Sequence, residues 1–255
     1  MTYLVDYHVH LIGHQDRQPT EQSIRSFLNA AQAKGLSEIG FADHDMYWDQ
    51  LDFELIRKVA ADYPELAVKV GVEVDYRRGD EDKIRKMLKE FPLDFAIGSV
   101  HEIDGWIFDI PGQESRYQAW HPDDLYRAYF ELVDRAAQSG LFTTIGHFDL
   151  IKLFGIRPKT DILELADVAL NSIAKHELVL EINTNGKYKP VGEFYPERRL
   201  WEEAQARGIA ITLGSDAHFP ELVGRDVQEV LGMLKGYGVD AITGFSRFQK
   251  MAHPV

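Results

Sequence analysis

Short β-prone runs alternate with helical stretches about seven times along this chain, and almost every β-prone run exits into residues that can bind a metal. Strands joined by helices form a parallel sheet with crossover connections, so this alternation restricts the fold to a doubly wound sheet or a barrel. The spacing predicts strands over Tyr3–Val9, Ser37–Asp43, Leu66–Val74, Leu93–Val100, Leu141–Gly146, Leu178–Ile182 and Ile209–Leu213. It predicts helices over Glu21–Lys34, residues 49–62, Asp80–Phe91, Pro122–Ser139, Asp161–Lys175, Pro196–Arg207 and Pro220–Lys235, with a short strand near Val239–Thr243. Residues 102–121 lack periodicity and carry aromatics, glycines and acids, which reads as a long functional loop.

The strand exits decide between the two architectures. They deliver His8 and His10, His44, Glu73, His101, His147 and Asp149, Asn183, and Asp216 and His218, drawn from the whole length of the chain. A doubly wound sheet gathers its chemistry at one switch point, whereas a (β/α) barrel gathers it from the C-terminal end of every strand. The expected fold is therefore α/β, a TIM-like (β/α) barrel of about seven units over residues 1–255, with the metal-competent residues at the strand C-terminal ends. No linker or low-complexity segment divides it. A glycine-rich dinucleotide loop, a P-loop and a G-x-S-x-G elbow are all missing from the sequence.

Composition narrows the chemistry. The chain has no cysteine, so any metal site must be built from His, Asp and Glu. A formal charge of −13 argues against a nucleic-acid partner and favours a small substrate. No apolar run approaches the roughly 18 residues of a membrane span and no cleavable leader is visible, so a soluble, cytoplasmic protein with no membrane partner is expected.

Seven of the ten histidines, His8, His10, His14, His44, His101, His147 and His218, fall at or just after strand exits. Imidazoles crowded without an ion repel when protonated and compete for hydrogen bonds when neutral. A cluster of divalent ions is the simpler account, with Glu73 and Asp216 supplying negative charge and oxygens able to bridge.

These residues resemble the polymerase-and-histidinol-phosphatase (PHP) superfamily. The likeness lies in Asp6-Tyr-His8-Val-His10, Ala42-Asp43-His44, Gly71-Val-Glu73, Gly98-Ser-Val-His101, Gly146-His147-Phe-Asp149 and Gly214-Ser-Asp216-Ala-His218, in the family's order. The resemblance implies a distorted (β/α)7 barrel with a trinuclear metal centre at the strand C-terminal ends. His8, His10, Glu73 and Asp216 would hold one ion, Glu73 would bridge to a second held by His101 and His147, and His14, His44 and His218 would hold the third. Within the superfamily, the segments 98–109, 181–186 and 194–200 are most similar to histidinol-phosphate phosphatases. That likeness implies Arg157 and Arg198 (or Arg199) as phosphate ligands and Glu114 as the group that recognises the substrate's imidazole or amine.

The expected activity is hydrolysis of a small phosphate monoester, L-histidinol phosphate, using three divalent ions (Zn, Mn or Fe). A hydroxide held between two ions would attack phosphorus in line, with Glu73, Asp216 and His218 as the catalytic residues. The alternatives are a PHP-type phosphoesterase acting on nucleotides or nucleic acid, and an amidohydrolase-type metal hydrolase. Asp149 and Asn183 are candidates for orienting histidine ligands or for satisfying turn amides. Lys152 is expected to be a solvated loop residue, and His121, His176 and His253 to be surface residues.

Overall fold

The computed structural model describes residues 2–15 and 17–255. The elements run, in order, β1 (Val5–Val9), α1 (Glu21–Ala33), β2 (Glu38–Phe41), α2 (Phe53–Ala60), β3 (Ala67–Asp75), α3 (Glu81–Glu90) and β4 (Phe95–Ser99). There follow β5 (Glu102–Ile103), β6 (Trp106–Ile107), α4 (Glu114–Tyr117), α5 (Pro122–Gln138), β7 (Thr144–Ile145), α6 (Ile162–Lys175) and β8 (Val179–Asn183). The chain ends in α7 (Arg198–Ala206), β9 (Ile211–Gly214), α8 (Val227–Gly236), β10 (Ala241–Ser246) and β11 (Gln249–Pro254). Seven strands share one sheet in the order β1-β2-β3-β4-β7-β8-β9, and the fold is α/β with a nearly closed parallel barrel.

Contacts divide the chain into two compact units. One comprises residues 1–74, 92–97 and 211–255, and the other residues 75–91 and 98–210.

In the first unit, β1 pairs in parallel with β2 and β2 with β3. The backbone of β1 also meets the chain just beyond β9, where the His10 amide donates to the Ala217 carbonyl (2.9 Å) and the Ala217 amide to the His8 carbonyl (3.1 Å). All five residues of β1 are buried, as a barrel strand requires. Gly40 and Gly71 make room for the Phe95 ring, since a Cβ at either position would come within 2.9 Å of it. Tyr7 meets Phe95 and Phe245 edge-on, at 5.1 and 5.0 Å between ring centroids, and these rings fill the interior. Glu38, almost fully buried, accepts hydroxyl protons from Tyr3 (2.6 Å) and Tyr7. Helix α1 starts at Thr20, whose side chain accepts from the Ser23 amide, and buries Ile24, Phe27, Leu28 and Ala31, as its spacing predicts.

The C-terminal segment differs from the sequence expectation. Two antiparallel strands, β10 and β11, replace one short strand. His253, expected at the surface, is half-buried on β11, with its ring stacked on Tyr3 at 4.0 Å and its Nε2 3.4 Å from Glu38.

In the second unit, α5 opens with Pro122 and two acids, suited to the first turn of a helix. Asp123 also accepts from the Lys159 and Thr160 amides (2.6 and 3.0 Å), which ties the segment ahead of α6 to the start of α5. The stretch 102–121 is more ordered than the sequence suggested. A hairpin, β5–β6, turns at Asp104 and Gly105, both with positive φ, and Trp106 donates its indole N–H to Gln113 (2.8 Å). Strand β7 is shorter than predicted, two residues against six.

Candidate metal centre

Within the first unit, His8 and His10 leave β1 on one face, as residues two apart in a strand must, and both are fully buried. His10 Nε2 lies 3.2 Å from Asp216 Oδ1 and 3.7 Å from Glu73 Oε2, while His8 Nε2 lies 3.4 Å from Glu73 Oε2 and 4.0 Å from Asp216 Oδ1. Glu73 Oε2 also lies 2.9 Å from His44 Nδ1. The His218 ring stands 4.2 Å from that of His10, and the exposed His14 ring stands 5.2 Å from His44 and 4.6 Å from His218. Two triads, His8–His10–Asp216 and His10–His44–His218, have donor atoms within 4.8 Å of one another. Every first-unit residue predicted as a metal ligand therefore belongs to one cluster.

The donor set fits divalent ions. Among the described residues neither Nδ1 of His10 nor Nε2 of His218 has a hydrogen-bond partner, although both atoms are buried. Burial, with His218 and His44 alongside, holds the His10 pKa well below its usual range, so the ring is neutral and its lone pair is available. Burial pushes Asp216 up, but the neighbouring His8, His10 and His218 outweigh it and hold its carboxyl well below the usual range. The ligating form of each group is thus the favoured one.

Two buried aspartates explain why the backbone presents these side chains. Asp43 accepts from the Leu11, Ile12 and Gly13 amides (3.0, 2.7 and 3.1 Å), folding the turn between His10 and His14. Burial pushes its pKa up to about 6, against the lowering effect of those amides. Asp6 accepts from the Ser215 amide (2.8 Å), the Ser215 hydroxyl (2.5 Å) and the Gly224 amide (2.7 Å), fixing the chain on either side of Asp216 and His218. Asp216 itself has φ +53°, a left-handed conformation that costs a non-glycine residue energy and that these contacts maintain.

The second unit carries its own imidazole pair. His101, beyond β4, and His147, beyond β7, present their Nε2 atoms 3.2 Å apart. His101 Nδ1 lies 2.5 Å from Asp75 Oδ1, and Arg77 holds the other oxygen of Asp75 (3.3 Å) together with Glu102 (3.1 Å). A carboxylate at Nδ1 fixes the tautomer that offers Nε2 to a metal. Asp109 lies 4.0 Å from His101 Nε2. Glu181 accepts the His147 amide (2.7 Å) and the Asn183 side chain (3.3 Å), and Asn183 in turn accepts the Asn185 amide. The sequence reading gives no site role to Asp75, Asp109 or Glu181, although the last two lie in the segments that carry the family likeness. Asp75, two residues after Glu73, was the most accessible of them.

The predicted substrate residues occupy distinct settings. Arg157 donates to Glu193 (2.6 Å) and Glu197 (3.1 Å). Arg198, the first residue of α7, is largely exposed and pairs with Glu202 (2.7 Å), while Arg199 pairs with Asp161 (2.9 Å). Glu114 is exposed at the start of α4. Lys152 corrects the expectation of a solvated residue. It is fully buried, 2.9 Å from Asp149 Oδ2 and 2.7 Å from the Phe194 carbonyl, because the chain around Phe194, distant in sequence, folds over it.

A parallel α/β barrel whose strand exits gather imidazoles and carboxylates is a metal-binding barrel, and its donors suit divalent ions. The model of the PHP domain matches residues 6–185, and this chain belongs to the PHP family. It is 38 % identical to a probable histidinol-phosphatase of Deinococcus radiodurans, covering 95 % of this chain and 97 % of that one. It is 27 % identical to the histidinol-phosphatase of Lactococcus lactis, with 95 % and 94 % covered. A solved structure of the Lactococcus histidinol phosphate phosphatase, complexed with zinc, L-histidinol and phosphate, matches with a TM-score of 0.79 at 25 % identity, covering 97 % of this chain and 98 % of that one. Among the described residues no helix is long and apolar enough to cross a membrane.

Proposed function

We propose that this chain is a metal-dependent phosphomonoesterase that hydrolyses L-histidinol phosphate to L-histidinol and phosphate, a step of histidine biosynthesis that suits the cytoplasm. The observation that carries this reading is the gathering of imidazole and carboxylate donors at strand exits, in a fold that matches a protein solved with zinc, L-histidinol and phosphate. Three divalent ions (Zn, Mn or Fe) are proposed. His8, His10, Glu73 and Asp216 would hold one, His101 and His147 a second, and His14, His44 and His218 the third. When bound, such ions supply a nucleophile at neutral pH and neutralise phosphoryl charge.

The chain's own residues would do the rest. Glu73, Asp216 and His218 would hold the reacting groups in place, and the burial of His10 favours the uncharged imidazole that a metal ligand needs. Arg157 has its guanidinium oriented by two glutamates, and with Arg198 it would take the phosphoryl oxygens in charge-assisted hydrogen bonds. Glu114 would meet the cationic end of the substrate.

The test compares phosphate release from L-histidinol phosphate, other monoesters and a dinucleotide, using protein of measured metal content. A clear preference for L-histidinol phosphate is expected. A preference for the dinucleotide would replace this reading with a nucleotide phosphoesterase.

A further inference from the structure

Arg157 belongs to a chain of alternating charges contained in the second unit. Glu197 Oε2 meets Arg157 Nη1 (3.1 Å), Arg157 Nη2 meets Glu193 Oε1 (2.6 Å), Glu193 Oε2 meets Lys152 Nζ (3.3 Å), and Lys152 Nζ meets Asp149 Oδ2 (2.9 Å). The two cations thus share one carboxylate, each taking a different oxygen of Glu193. The two ends of this chain differ in solvation. The Lys152 and Asp149 side chains are buried, whereas Arg157 and Glu193 are more than a third exposed. The ammonium donates to the Phe194 carbonyl as well (2.7 Å), and its position 5.3 Å over the Tyr195 ring completes its enclosure. A lysine so fully desolvated is costly unless its charge does something that an apolar side chain of the same size could not.

We propose that Lys152 is a positioning residue that acts on phosphate binding through Glu193: by drawing on one oxygen of that carboxylate, it leaves Arg157 with charge to spare for an anion. This rests on the phosphomonoesterase reading and on Arg157 as a phosphate ligand. Without Lys152, the whole negative charge of Glu193 falls on Arg157, which an incoming phosphate must then win from two undivided carboxylates. Distance favours the effect, because charge pairs at these separations in a partly desolvated setting interact far more strongly than in water.

The test uses the metal-loaded protein and inorganic phosphate as the probe, read as a competitive inhibition constant beside kcat, bound metal and Tm. Lys152→Met keeps the shape and removes the charge, and is expected to raise the phosphate Ki about tenfold with kcat changed less than about threefold. Lys152→Arg keeps the charge at the cost of shape, and is expected to stay within about threefold of the native Ki. Adding Glu193→Gln to Lys152→Met removes the undivided carboxylate and should restore most of the lost affinity. Should Lys152→Met fail to fold, Glu193→Gln alone serves, because this account expects it to lower Ki whereas a purely structural contact would raise it. A native Ki in Lys152→Met, or a double variant no better than the single one, overturns the proposal. If the native protein neither releases phosphate from any monoester nor is inhibited by phosphate, the reading beneath it fails instead.

Discussion

Glu38 and Glu73 stand on neighbouring strands of the first unit, both almost fully buried, yet they are surrounded by opposite chemistry. Glu38 faces groups that bring protons, the hydroxyls of Tyr3 and Tyr7, with His253 3.4 Å away. Burial and the nearby carboxylate push both tyrosine hydroxyls to hold their protons more tightly than usual. Glu73 faces nitrogens of His8, His10 and His44 at 3.4, 3.7 and 2.9 Å, beside a second carboxylate on Asp216. Burial alone therefore says little about what a carboxylate is for. A glutamate ringed by tyrosine hydroxyls closes a core, whereas one ringed by imidazoles beside a second carboxylate has the surroundings of a metal ligand.

The largest expected effect follows from exchanging that second environment. Glu73→Gln should lower kcat by on the order of a thousandfold or more and reduce bound metal, because it removes an anionic oxygen from the centre. Native turnover with native metal content would break the contrast with Glu38. Stripping the metal with a chelator should abolish activity and lower Tm, and adding back Zn or Mn should restore both. Tm left unmoved by chelation would mean that the donors do not share bound ions in the fold.

Glu38→Gln should instead act on stability, by about 1–3 kcal/mol, since an amide meets two tyrosine hydroxyls less well than a carboxylate does. Denaturant unfolding at constant metal content checks this, with kcat/KM within about threefold of native. A loss of metal in this variant would erase the distinction between the two glutamates.

The smallest effect belongs to the exposed pair of Arg199 and Asp161 and concerns stability alone. Hydrogen bonding from Arg199, with the Leu163 amide and the Arg199 charge, lowers the Asp161 pKa below its ordinary 3.8. A depressed carboxylate stabilises the fold above its unfolded pKa and loses that contribution as pH falls through the folded one. Arg199→Gln should therefore cost a little stability at neutral pH, and the difference should vanish at pH values below the folded pKa. A difference that grows on acidification would contradict the sign.

Much of the centre was legible in the sequence because its spacing is local. His8 and His10 share a strand face by alternation, Glu73 stands near the end of β3, and His44 and Asp216 follow β-prone runs, as His101 and His147 do in the second unit. What escaped notice depended on distant partners. Nothing near Lys152 in sequence reveals that Glu193 and the Phe194 carbonyl will enclose it, and nothing near His253 announces Tyr3 and Glu38. The β5–β6 hairpin was missed because two-residue strands are too short to show alternation, although its Asp104-Gly105 turn carried a hairpin signal. The same shortness hid the true length of β7, which burial on all sides makes resemble a longer apolar run.

Anomalous scattering from zinc-loaded crystals is the most direct trial of the claim that the imidazole and carboxylate donors of the first unit share ions. The account predicts peaks within coordination distance of His8, His10, Glu73 and Asp216, with another beside His44 and His218. Zinc located only elsewhere, in a protein that still hydrolyses L-histidinol phosphate, would contradict it.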